Sequence, residues 1–251
     1  MKSVNLFNQR IGTIKLNNNN ELMKIVEYIN NHNVVVEFQD KYKARVHTSW
    51  SMFEKGTVKN PYNSTVFGVG IIGNKYKSRI KGEITKEYRA WQNMLQRCFR
   101  SKTFAYKDVI CCDEWLLYEN FYEWIHNQKN FDKWYNGDRW ALDKDILIKG
   151  NKIYSPNTCC LVPQNVNALF IRKESSRGDL PIGVSKLKKY YAVDCHGEYI
   201  GLRNTLEESF LLYKEHKENL IKQIAKEEYN KGNITKECYE AMLNYVVEID
   251  D

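Results

Sequence analysis

Four successive pieces decide the fold: Trp140-Ala141-Leu142-Asp143-Lys144-Asp145-Ile146, Lys149-Gly150-Asn151-Lys152, Ile153-Tyr154-Ser155-Pro156-Asn157-Thr158-Cys159-Cys160-Leu161-Val162-Pro163, and Gln164-Asn165-Val166-Asn167-Ala168-Leu169-Phe170. Gly150-Asn151 lies between runs that carry apolar residues, which is a turn signal, so a β-hairpin is expected there. Pro163 then marks the start of a helix, where its missing N–H costs nothing. The expected order is strand, turn, strand, helix.

Upstream, Tyr88, Trp91, Met94, Leu95 and Cys98 recur with helical spacing and form one apolar face, while Arg89, Gln92, Gln96 and Arg97 face away. After Val109-Ile110-Cys111-Cys112, a second helical stretch carries Trp115, Leu116, Phe121, Trp124 and Ile125. These aromatics are expected in a core. Further forward, Ile11–Leu16, Leu22–Ile29, Val34–Phe38 and Tyr42–Val46 read as short strands separated by Asn-rich punctuation, which suggests a small β-barrel-like unit. A glycine-punctuated linker follows, with Lys75, Lys77, Arg79 and Lys81.

Downstream, Gly183–Leu187, Tyr190–Cys195 and Glu198–Arg203 read as three strands. Thr205 is placed to cap a helix whose first turn holds Glu207 and Glu208, where negative charge suits the dipole. Two more helices, about 219–230 and 235–247, carry charges of alternating sign and read as a structural cap or the arm of a homodimer. The fold class is therefore α+β. Three segments are expected: 1–80, a small β-rich domain with a basic linker; 81–178, a ββα module with flanking helices; and 179–251, a three-stranded sheet with helices.

The chain has 251 residues and a net charge of +7. By those three segments the excess is +7, +4 and −4, which places positive charge at the front and middle, where a polyanion would need it. No apolar run is long enough to span a membrane and the first residues lack the apolar core of a secretory signal, so a cytoplasmic location is expected. The seven cysteines include the neighbours Cys111-Cys112 and Cys159-Cys160, a pattern that suits reduced thiols.

The order of elements, with Leu142-Asp143-Lys144-Asp145, Tyr154-Ser155-Pro156-Asn157-Thr158-Cys159 and Val162-Pro163-Gln164-Asn165-Val166-Asn167, resembles the HNH, or His-Me finger, nuclease motif found in many phage open reading frames. With the Tyr88–Cys98 helix and Cys112-Asp113-Glu114-Trp115, the resemblance covers roughly residues 85–172. It implies a metal-dependent DNA endonuclease using Mg²⁺ or Mn²⁺, in which Asp143 is the first metal ligand, Asn165 the second, and Asn157 holds the hairpin through backbone hydrogen bonds. Such an ion polarises the scissile phosphate, and a neutral imidazole deprotonates the attacking water.

The base position departs from that pattern, because it holds Lys144. A lysine in water titrates near ~10.4 and cannot accept a proton at neutral pH unless burial or a nearby cation lowers that value. A lysine there would instead grip a phosphate. Of the five histidines, His32, His47, His126, His196 and His216, only His126 lies where it would approach the hairpin. Structural zinc is not expected, since adjacent cysteines on a strand point to opposite faces.

Gly183-Val184-Ser185, Tyr191-Ala192-Val193, Tyr199-Ile200-Gly201-Leu202 and Glu207-Glu208 with Phe210 and Tyr213-Lys214 resemble the DNA-binding domain of the plant Apetala and ethylene-response-factor class, which also occurs fused to HNH nucleases in phages. The resemblance implies a sheet that enters the major groove. Lys186, Lys188, Lys189 and Arg203 are then the candidate DNA contacts, with Tyr191 contributing by stacking or hydrogen bonding. Such sheets are usually rich in Arg and Trp, and this one has a single Arg. The expectation is a phage-type protein that binds double-stranded DNA in the host cytoplasm, with weak or absent nicking. The alternative is a nuclease scaffold that grips a host defence protein as a counter-defence or host-takeover inhibitor.

Overall fold

The computed structural model describes residues 9–103, 106–171 and 180–249. The boundary expected at 178/179 lies outside them. The chain is α+β and forms two compact units, Met1–Tyr88 with Leu116–Asn120, and Arg89–Trp115 with Phe121–Asp251. Among the described residues no helix is long and apolar enough to cross a membrane.

In the first unit, β1 (Ile14–Leu16), β2 (Leu22–Asn30), β3 (Asn33–Phe38) and β4 (Arg45–Thr48) form an antiparallel sheet in the order β1-β2-β3-β4. It is an open meander, so the barrel expectation is corrected: β1 and β4 are its two edges and do not pair. Met23, Ile25, Val34, Val36 and Phe38 bury one face together with Phe53 of α1 (Trp50–Glu54), Ala44 and Val58. The Asn-rich run has a turn-forming role. The Oδ1 of Asn17 accepts from Asn19 N at 3.0 Å and Glu21 N at 2.9 Å, and Asn20 takes a positive φ of 62°, a conformation that asparagine tolerates. The expected linker is structured as β5 (Ser64–Val66) with β6 (Gly70–Ile71) and β7 (Arg79–Ile80) with β8 (Glu83–Ile84). The buried carboxylate of Glu119 anchors this region, accepting from Asn74 N at 2.8 Å and Lys75 N at 2.7 Å.

The second unit contains most of α2 (Lys86–Phe99), whose Trp91, Met94 and Leu95 are fully buried as the helical spacing predicts. Trp91 Nε1 donates to Trp115 O at 2.7 Å. After β9 (Ile110–Cys111) come α3 (Tyr118–His126) and α4 (Phe131–Asn136). Then β10 (Trp140–Asp143), β11 (Ile153–Tyr154), β12 (Cys160–Pro163) and α5 (Gln164–Ala168) follow. The hairpin expected around Gly150-Asn151 is corrected. β10 pairs antiparallel with β12, from Trp140↔Pro163 to Asp143↔Cys160, while β11 runs parallel to β9. Gly150, at φ +75°, turns a loop inside this segment rather than joining two paired strands.

β13 (Val184–Leu187), β14 (Tyr190–Cys195) and β15 (Glu198–Arg203) form the expected three-stranded antiparallel sheet. Thr205 caps α6 by accepting from Glu208 N at 3.2 Å. α6 (Leu206–Asn230) is one helix of 25 residues, about 37 Å long, where two helices separated near residue 219 were expected. α7 (Lys236–Leu243) follows. Ile221 and Ala225 of α6 and Cys238 and Met242 of α7 pack against Ile146, Cys160, Val162, Val166 and Leu169. These helices therefore complete the core under the β10–β12–α5 segment.

α6 also buries Lys217, which is 5% exposed and touches His196 through its Nζ. Burial lowers its pKa from 10.5 to about 8. Below pH 8 both folded and unfolded chains carry the proton and the full burial penalty applies. Between about 8 and 10.5 the unfolded chain binds the extra proton, so folding stability rises with pH through that window. Lys217→Met is expected to be more stable than the parent at pH 7 by about 2 kcal/mol. The gap should close by pH 10.5, which urea melts across the range will show.

Candidate functional site

Two constellations in the second unit contain the residues expected to act. In the first, the end of β10 presents Asp143, Lys144 and Asp145. Asp143 Oδ1 accepts from Asp145 N at 2.7 Å and Ile146 N at 2.9 Å, so this carboxylate closes the turn that leaves the strand. Burial raises its pKa above the ordinary aspartate value, partly offset by those two bonds. Lys144 is 7% exposed; its ammonium donates to Asp145 Oδ1 and to Asn151 O at 3.0 Å, and lies 6.0 Å from the ring centre of Tyr154. Asn151 answers with its own amide, Nδ2 donating to Lys144 O at 2.8 Å and Ile153 O at 2.7 Å. Arg97 of α2 donates to the buried Tyr154 hydroxyl at 3.1 Å.

The expected roles fall out differently. The asparagine that bridges the loop backbone is Asn151; Asn157 is exposed. Asn165, on the first turn of α5, points its amide at α6, donating to Glu228 Oε1 at 3.2 Å. Glu228 also accepts from Asn233 Nδ2 at 2.7 Å and Lys231 Nζ at 3.0 Å. His126 lies in an aromatic stack, 4.0 Å from the centre of Phe131 and 4.1 Å from that of Tyr122. The structure thus joins Asp143 and Lys144 through one turn and commits Asn165 and His126 to other neighbours.

Part of this donor set is already engaged. One oxygen of Asp143 is held by two backbone amides, the Asn165 side chain is bound to a carboxylate, and an ammonium that would repel Mg²⁺ occupies the turn. Among the described residues no group of three or more His, Cys, Asp and Glu side chains is arranged to hold a metal. The cysteines are free. Burial raises Cys98 to about 11 and Cys159 to about 12, so both are protonated thiols at neutral pH.

The second constellation is the β13–β15 sheet. Residues opposite one another in register share a face. Lys186, Tyr191 and Arg203 form one such row, parallel to the row Val184, Val193 and Gly201. By alternation both rows belong to the face that α6 covers, where Val193, Cys195 and Tyr213 form the core. Lys186 and Arg203 lie at its uncovered end and are exposed, and Tyr191 is half-buried. Lys188 and Lys189 form the turn between β13 and β14, also exposed. The four candidate cations therefore cluster at one end of the sheet.

The sequence reading missed what covers the other face: Leu187 opposite Tyr190, Ser185 and Leu202 either side of Ala192, and Tyr199 opposite Asp194. Its signal was legible, because the buried Val184 and Val193 fix the inward set and leave their neighbours outward. Compared with protein-family models, with curated proteins and with solved structures, the chain matches none.

Proposed function

We propose that this protein binds double-stranded DNA and does not cut it, on a scaffold similar to the finger of phage HNH nucleases joined to an Apetala-type sheet. The observation that carries this reading is the internal commitment of Asp143, Lys144 and Asn165. Asp143 Oδ1 and the Lys144 ammonium are hydrogen-bonded within the loop, and the Asn165 amide nitrogen donates to Glu228 of α6. In this reading the β10–β12–α5 segment serves as a platform without nuclease chemistry.

Binding is supported by the cations at one end of the β13–β15 sheet. Residues 183–203 contain four cations and two acids, and Glu198 faces His216 at 3.6 Å. Lys188 holds a positive φ of 55°, where glycine would be cheaper by about 1 kcal/mol.

The test is fluorescence anisotropy with a labelled duplex across a salt series. Four phosphate contacts give a slope of log K against log salt of about −3.6. Lys188→Ala with Lys189→Ala should flatten it by about 2. Absence of binding at low salt overturns the reading and favours a protein partner instead.

A further inference from the structure

We infer that the open face of the β13–β15 sheet reads the 5-methyl groups of thymine in the major groove of A·T-rich duplex, an inference that rests on the duplex-binding reading above. Four side chains decide it: Leu187, Tyr190, Tyr199 and Leu202 are 52%, 37%, 62% and 40% exposed. Register and alternation put all of them on the face away from α6. So many exposed large apolar groups in one small sheet mark a binding surface.

The chemistry of that face selects the base pair. Guanine is read by a bidentate Arg or Lys, and this face carries neither. Its one charged group, Asp194, is turned back onto the chain, Oδ1 accepting from Gly197 N at 3.1 Å. In the major groove the apolar feature of a base edge is the thymine methyl, and Leu187, Ala192 and Leu202 are the apolar groups that would meet it. The dimensions agree. Three strands span about 10 Å, within a groove about 12 Å wide and equal to about three base-pair rises. Charge is complementary at one end of this face, where Lys188 and Lys189 form the exposed β13–β14 turn and would meet a phosphate flanking the groove.

The experiment compares A·T-rich duplexes of one sequence made with thymine or with deoxyuridine, which lacks only the methyl. Each methyl buried is a factor of about four in affinity, so two to three contacts favour the thymine duplex at least tenfold. Leu187→Ala with Leu202→Ala should remove most of this preference while keeping the salt dependence. Both positions are exposed, so the fold tolerates the change. Equal, salt-dependent affinity for the two duplexes overturns methyl reading and leaves duplex binding standing. No binding to either duplex at low salt overturns both.

Discussion

Lys144→Ala is expected to lower the stability of the second unit by about 3–4 kcal/mol, a drop in Tm of about 10 °C, without changing any reaction. The ammonium is buried, and removing it orphans the Asn151 carbonyl at 3.0 Å and leaves Asp145 and Asp143 without their nearest cation. An unpartnered buried acceptor costs about 1–3 kcal/mol, and breaking one side of a buried ion pair 3–5. Asp145 is half exposed, which keeps the total toward the lower end. Lys144→Met retains most of the stem, so the part of the loss that it restores is packing and the remainder is charge. Trp124 reports on the loop directly, since its Nε1 donates to Pro156 O at 3.2 Å; its fluorescence follows the transition.

Glu228→Ala is expected to cost about 3 kcal/mol, because one buried carboxylate collects three donors, from Asn165, Asn233 and Lys231. It ties the α5 turn to the end of α6. Burial by itself would raise its pKa, but those hydrogen bonds and the charge of Lys231 bring it below the ordinary value of 4.5. A lowered carboxylate stabilises the fold above its unfolded value, and the contribution is lost as pH falls through the folded one. The difference between parent and variant should therefore be full at pH 7 and shrink below about pH 4.5, which chemical denaturation at several pH values will measure. Glu228→Gln, which keeps shape and one acceptor, should lie between the two.

What was legible in the sequence was local. The apolar face of α2, the cap at Thr205 and the three strands of the last sheet each depend on residues a few positions apart, and each is in place. What was not legible depends on distant partners. The Gly150-Asn151 turn suggested a hairpin, but β10 pairs with β12 across the intervening loop and β11 pairs with β9. Local periodicity contains no information about either pairing. The polar stretch between Tyr213 and Asn219 was read as a gap between helices, although it contains no glycine or proline to break one, and α6 runs through it.

The site divides the same way. Asp143, Lys144 and Asn165 were singled out by the resemblance to the HNH finger, but their partners were not, because Asn151 reaches Lys144 and Glu228 reaches Asn165 only after the loop and α6 are folded. Of the candidate DNA contacts, Lys186, Tyr191 and Arg203 stand in one row of the register, while Lys188 and Lys189 lie in the adjoining turn. Alternation says which residues share a face, and the helix decides which face remains open.

The central claim, binding without cleavage, is tested most directly by one gel. Supercoiled plasmid is incubated at low salt with saturating protein and Mg²⁺ or Mn²⁺, run once as the complex and once after the protein is stripped. A retarded complex that high salt dissolves is expected and, after stripping, plasmid that is still supercoiled. Metal-dependent nicked circles that Asp143→Ala abolishes would contradict it.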